Sequence, residues 1–229
     1  MQECMRWDRS QAFFSKRRLN SEILIRALNS VLPKSIRVFE ARMINPDFFV
    51  LAHTTGKTYE YKIHTGDVLD PLTRYDRMHV PGPLNLTKMR AAAEAMIGKH
   101  NFIHFSGLKS VTMRQNRSTI KTITGFNITE IENGVKFSIR GDGFLYHQVR
   151  HMVGAVIACG KSSVDVCYLQ DLLCCDPVNN ENRTPRWKMC DAQGLCLINI
   201  EIMELPDPSK LIHPEFEHDE HGRVTSIDK

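Results

Sequence analysis

The sequence predicts an α+β protein built as two α/β halves around a mixed, mainly antiparallel sheet. Three observations predict it. Thr58–Ile63 alternates as a strand does, with Tyr59, Tyr61 and Ile63 on one face and Thr58, Glu60 and Lys62 on the other. The segments beginning at Asn85 and Tyr146 carry apolar residues at helical spacing. Strands, helices and an Asn-Gly hairpin signal are mixed along the chain, without the regular alternation of a doubly wound fold.

In chain order, Ser21 is expected to cap a helix running to about Ser30, with Leu24, Ala27, Leu28 and Val31 on one stripe and Pro33 as the stop. Ser35–Met43 and Phe48–His53 read as strands around an Asn45-Pro46-Asp47 turn. From Thr65 to Pro83 the pattern gives way to Gly, Asp, Pro and Arg. Asn85 caps a helix with Leu86, Met89, Ala93, Met96 and Ile97 inward, closed by Gly98. His100–Ser106 reads as a short loop or strand. Thr122–Ile131 and Val135–Arg140 form a hairpin about Glu132-Asn133-Gly134. Tyr146–Cys159 is a helix ended by Gly160, and Ser163 caps another to about Cys174. Leu195–Leu205 is a last strand. The expected division is an incomplete N-terminal half (1–64), a connection (65–83), a C-terminal half (84–205) and a disordered acidic tail (206–229).

Composition narrows the function classes. The chain has 229 residues, of which 42% are hydrophobic and 24% charged, close to the globular average. That excludes a disordered chain, a collagen and a coiled-coil rod, and no apolar run approaches the roughly 20 residues of a membrane span. The net charge is +4. The tail from Leu205 holds six acids against three bases, so the positive excess lies in the body and suits a polyanionic partner. The seven cysteines contain no Cys-x-x-Cys pair and follow no signal peptide, as in a reduced intracellular protein. Basic residues near the N-terminus are interrupted by Glu3 and Asp8, against the acid-poor composition of a transit peptide. The expected location is therefore intracellular, in cytoplasm or nucleus rather than an organelle.

His147 and His151 stand four apart, the spacing of zinc ligands on one helical face. Gln148 occupies the place of the general base in a zinc-protease motif and cannot take a proton from water, and Arg150 would repel a metal. No metal is therefore expected. No glycine-rich phosphate loop is present.

One stretch is specific: Ile139-Arg140-Gly141-Asp142-Gly143-Phe144-Leu145-Tyr146-His147-Gln148-Val149-Arg150-His151-Met152-Val153-Gly154. On its own it is a strand, a glycine-flanked turn and a helix carrying one Arg among apolar positions. It resembles the TruA family of tRNA pseudouridine synthases, with their Gly-x-Gly-Phe-Leu-Tyr-x-x-Val-Arg-x-x-Val-Gly segment. Leu28-Asn29 through Pro33, Ile36 and Val38 is similar to the family's Leu-Asn-x-x-Leu-Pro-x-x-Ile-x-Val. Lys57-Thr58-Tyr59-Glu60-Tyr61, His100-Asn101-Phe102 with Phe105, and Gly194-Leu195 with Leu197 resemble three more family segments in the same order. The similarities span about residues 20–204.

The resemblance implies a central cleft and an enzyme that isomerises uridine to pseudouridine in the tRNA anticodon stem-loop, without a cofactor. Such chemistry needs a carboxylate near the sugar, an aromatic face for the flipped base and a cation that keeps the carboxylate ionised. By resemblance the aromatic falls on Tyr59 and the cation on Arg150, and Leu145 packs near the base. Taken alone, Tyr59 also reads as a half-buried strand aromatic. Tyr59 and Arg150 should then face one cleft. Arg117 lies in a stretch with Arg114 and Lys121 and no acid, and is expected to contact RNA. The family's Arg-Thr-Asp-x-Gly-Val motif is not intact. The nearest match is Arg6-Trp7-Asp8, which makes Asp8 the candidate nucleophile, against the alternative of a solvated side chain on a frayed terminus. The family's Phe-His-Ala-Arg reads Phe48-Phe49-Val50-Leu51. The chain therefore reads as an N-terminally truncated or variant member. The alternative function is a catalytically impaired, RNA-binding pseudoenzyme. The resemblance also implies a homodimer. The helix Tyr146–Cys159 has a second face of low polarity at Gly154 and Ala158, to be covered either within the monomer or by a second subunit.

Overall fold

Strand β2 (Thr54–His64) is hydrogen-bonded on both edges, antiparallel to β6 (Gly134–Gly141) on one side and to β7 (Leu195–Ile202) on the other. The computed structural model describes residues 5–6, 20–42, 53–107, 118–174, 185–203, 217–218 and 224–226. The main sheet runs β1-β7-β2-β6-β5-β4, with β1 at Met5–Arg6, β5 at Ile120–Ile131 and β4 at Gly98–Asn101. β3 (Met78–His79) pairs with the far end of β2. The β1–β7 and β2–β3 pairings are parallel and the others antiparallel, as expected for a mixed, mainly antiparallel sheet.

Alternation decides what each sheet face does. Tyr61 and Ile63 on β2 and Val135, Phe137 and Ile139 on β6 are buried on one face. Against that face pack α2 (Leu86–Glu94), α3 (Gln148–Gly160) and α4 (Val166–Cys174). Each large side chain buried here stabilises by about 1.5–3 kcal/mol relative to exposure. The opposite face carries ion pairs instead: Lys136–Glu60 at 3.1 Å and Arg140–Glu201 at 2.6 Å. Among the described residues no helix is long and apolar enough to cross a membrane.

Contacts divide the chain into two units, one of Met1–Ser10 with Thr54–Ile202 and one of Gln11–His53 with Met203–Lys229. The first contains the main sheet. The second contains α1 (Ser21–Val31) and a two-stranded pairing of β8 (Glu217–His218) with β9 (Val224–Ser226).

Several local expectations change. The cap of α1 is Asn20, whose side-chain Oδ1 accepts from the amides of Glu22 and Ile23; Ser21 is already helical. Residues 35–42 are not a strand. The Asn29 side chain bonds both N–H and C=O of Val38 at 2.8 Å, taking the backbone groups a strand partner would need. Residues 43–52, including most of the second expected strand, lie outside the described residues. Asn85 caps α2 as expected, but Ile97 is exposed and Ala92 is buried. Ser163 does not cap α4. Its hydroxyl and amide both donate to Ala158 O at the end of α3, and the left-handed residue there is Ser162, not Gly160.

The hairpin stands where the Asn-Gly signal places it, for a different reason. Asn133 supplies the positive φ of 52°. Gly134 is required by proximity, since a Cβ there would meet Ile63 O at 2.0 Å. Gly134→Ala should therefore cost about 1–3 kcal/mol in urea unfolding, as overpacking does. Asn133→Gly, which keeps the left-handed turn available, should stay within about 0.5 kcal/mol of the native chain.

Candidate active site

Three segments of the sheet-and-helix unit build the site. The first is β2, whose double pairing aims Tyr59 and Tyr61 at the helices, opposite Ile139 and Phe137 on β6 and Leu197 and Leu195 on β7. Leu195 and Leu197 share that face by ordinary alternation, and a bulge at Ile198 shifts the register only beyond them.

The second is the turn from β6 into α3. The Asp142 amide donates to Thr122 O at 3.0 Å, and the Asp142 carboxylate accepts from the Thr122 amide at 3.1 Å. This reciprocal pair fixes the turn on β5. Phe144 then meets Tyr59 edge-on, with ring centroids 5.2 Å apart. Leu145 is buried, and its amide donates to Gln148 Oε1 at 2.7 Å. Gln148, read from sequence only as a failed base, is a buried brace for the turn that leads into α3, since its own amide also donates to Leu145 O at 3.1 Å.

His147 sits before the helix in the left-handed region, at φ 60° and ψ 10°, stacked on Tyr146. The expected pair of histidines within one helix is thus corrected: α3 begins at Gln148, and His147 is its cap. Burial, and then the Arg150 charge, lower the pKa of His147. His151 is pushed down to about 4 by burial first, then by His147 and Arg150. Both imidazoles are neutral at pH 7.

The third segment is the strap 185–194. Trp187 stacks on Phe105 at 5.0 Å, and Arg186 lies over the Tyr168 ring of α4. The strap presses on α3 at Gly154, where a Cβ would meet Lys188 O at 2.3 Å. The low-polarity face of this helix is therefore covered by the chain itself, which removes the helix from the argument for a second subunit. Further on, Arg150 Nε donates to Cys190 O at 2.6 Å, and the Cys190 amide donates back to Arg150 O at 3.3 Å. Among the described residues no carboxylate pairs with Arg150, and nothing accepts from its terminal nitrogens. The next carbonyl, that of Asp191, accepts from Tyr61 Oη at 2.7 Å. Burial, with Cys190 and Asp191 nearby, drives the Tyr61 hydroxyl far above its ordinary pKa, while Arg150 opposes the shift. Burial first, and then Asp191, pushes the Cys190 thiol up to about 12, so it stays protonated.

Tyr59, Leu145 and Arg150 thus belong to segments that meet on one side of the sheet, tied by Phe144 and by the strap. Asp8 and Arg117 lie outside the described residues. Sequence reasoning missed Phe144, Tyr61 and the strap. Tyr61 and Phe144 were visible as strand and turn aromatics, whereas the strap acts through main-chain carbonyls, which no residue type announces.

A doubly paired tyrosine strand opposite a Phe-Leu turn and a helix-borne arginine defines a class that comparison with known proteins supports. Residues 92–201 match the family model described as tRNA pseudouridine synthase. tRNA pseudouridine synthase A of Limosilactobacillus reuteri (strain DSM 20016) is 34% identical over 185 residues, covering 80% of this chain and 69% of the relative. tRNA pseudouridine synthase A of Methylacidiphilum infernorum (isolate V4) is 30% identical over 190 residues, covering 83% and 71%. tRNA pseudouridine synthase A 2 of Bacillus cereus (strain ATCC 14579) is also 30% identical over 190 residues, covering 83% and 74%. The chain belongs to the tRNA pseudouridine synthase A family.

The depressed His151 pKa sets a pH dependence. Between pH about 6.5 and about 4 the unfolded chain binds the proton and the folded chain does not, so stability falls as pH drops through that window. Partial exposure trims the effect by solvent screening. From pH 7 to 4.5 the native protein should lose about 2–4 °C more in Tm than His151→Gln does. Equal losses would contradict a neutral, desolvated His151.

Proposed function

We propose that this chain isomerises uridine to pseudouridine in tRNA, at the anticodon stem-loop. The observation that carries the reading is Arg150. Its Nε is committed to Cys190 O, and its terminal nitrogens have no partner among the described residues, on the side of the sheet that also bears Tyr59 and Leu145. Family membership and the names of the relatives support the same reading.

The reaction breaks N1–C1′, turns the uracil, forms C5–C1′, releases the C5 proton to solvent and returns a proton to N1. No cofactor is needed, since the bond order lost at one ring position is regained at another. A carboxylate near C1′ assists the break, and Asp8 is the candidate. Arg150 would hold that carboxylate anionic by opposite charge. Tyr59 would take the face of the extruded base, with Phe144 fixing its ring and Leu145 forming the apolar wall. Arg117 would contact the RNA backbone. A homodimer and a soluble intracellular location remain part of the proposal.

The test uses tRNA transcripts labelled with tritium at uridine C5, because each turnover releases one tritium. The chain should release label in step with pseudouridine formed. Arg150→Leu should lower kcat by roughly 10²–10³-fold, the scale of losing a preorganised charge-stabilising group. Asp8→Asn should abolish turnover with RNA binding nearly intact. Binding should weaken steeply as salt rises, as counterion release requires. Salt-sensitive binding with no tritium release would favour an RNA-binding protein without chemistry.

A further inference from the structure

The strap 185–194 holds two groups that face each other across it. Its Cys190 carbonyl takes the Arg150 Nε–H at 2.6 Å, and its Asp191 carbonyl takes the Tyr61 hydroxyl at 2.7 Å. Consecutive carbonyls thus link the helix arginine to the strand tyrosine. We propose that Tyr61 is a positioning residue for Arg150: its hydroxyl pins the Asp191 carbonyl and so sets the Cys190 carbonyl that orients the guanidinium. The proposal deepens the reading of Arg150 as the cation of a pseudouridine synthase and rests on that reading for its catalytic consequence.

Four observations support it. Tyr61 is fully buried in the central strand, with β6 on one side and β7 on the other, so its ring is a rigid post. The strap lies hard against that post at Gly194, where a Cβ would come within 2.7 Å of the Tyr61 ring, and Gly194 O accepts from the Lys62 amide at 2.9 Å. Met78 Sδ from β3 lies 3.3 Å from both the Tyr61 hydroxyl and the Asp191 amide, closing a three-member junction. Strap residue Trp187 is buried between Phe105 and Gly154, so the strap cannot shift bodily and Tyr61 controls its local rotation at 190–191.

The physical point is the choice of acceptor. A carbonyl fixes Nε without neutralising the guanidinium, whereas a carboxylate would quench it. The full charge and both terminal nitrogens then remain available for the reacting carboxylate. Removing the Tyr61 hydroxyl leaves the Asp191 carbonyl without its donor and frees the peptide between Asp191 and Ala192 to rotate; turning at Asp191 then loosens the adjoining peptide, whose Cys190 carbonyl holds Arg150.

The test joins a spectroscopic readout to an activity readout. In ¹⁵N NMR, the Arg150 Nε–H, assigned by its loss in Arg150→Lys, should exchange with solvent at least tenfold more slowly than that of exposed Arg37. Tyr61→Phe should bring the exchange up to the exposed rate and lower kcat on tRNA about tenfold, with KM changed less than twofold. Ile63→Val, a stability control on the same strand, should leave both the exchange and kcat at native values. An Arg150 Nε–H that stays slow in Tyr61→Phe, or that quickens equally in Ile63→Val, would overturn the proposal. If the exchange responds as expected while the native chain releases no tritium, the positioning role stands and the synthase reading falls.

Discussion

Pairing on both edges of β2 is the constraint from which the site follows. A strand bonded on one edge can slip by a residue and turn every side chain over; a strand bonded on two edges must break two ladders to do so. β2 is held by β6 from Lys57 to His64 and by β7 from Thr54 to Tyr61. Tyr59, Tyr61 and Ile63 are therefore committed to the helix side, and Glu60 and Lys62 to the ion-paired side. The same two partners deliver the other parts of the site. β6 leads into the Phe144–Leu145 turn, and β7 is entered from the strap. One register thus coordinates Tyr59, the start of α3 and the carbonyls beside Arg150.

Electrostatics on the two faces differ accordingly. The open face carries paired charges, as in Lys136–Glu60, Lys62–Asp76 and the two-bond contact of Arg140 with Glu201. Such exposed pairs organise a surface and contribute little stability. Inside, Arg150 is held by a neutral acceptor, and the neighbouring histidines are kept uncharged by burial and by Arg150 itself. The result, among the described residues, is an unneutralised guanidinium in the first turn of α3 flanked by neutral histidines.

Much of this was legible in the sequence where the determinants are local. The alternation of Thr58–Ile63, the Asn85 cap and the apolar stripe of α3 each depend on neighbours a few residues away, and each element forms. The contiguous motif around Phe144–Arg150 is enough by itself to carry the family resemblance. What was not legible depends on distant partners. Nothing near Ser35–Met43 announces that Asn29 takes both backbone groups of Val38. Asn-Gly spacing marks the hairpin, but only the closeness of Ile63 O explains why residue 134 has no side chain. Tyr61 reads as core, and its link to Arg150 runs through two carbonyls of an aperiodic segment. Asp8 and Arg117, the two site residues argued from resemblance and charge, lie outside the described residues.

In the proposed function the uridine of tRNA binds on the sheet side that bears Tyr59, the Phe144–Leu145 turn and Arg150. Photocrosslinking with tRNA carrying 5-bromouridine, followed by mass spectrometry of the joined peptides, tests it most directly. Crosslinks are expected on β2 about Tyr59 and on the segment from Phe144 to Arg150. Crosslinks confined to the opposite face, at Lys62, Lys136 and Arg140, with none on Tyr59 or the turn, would contradict it.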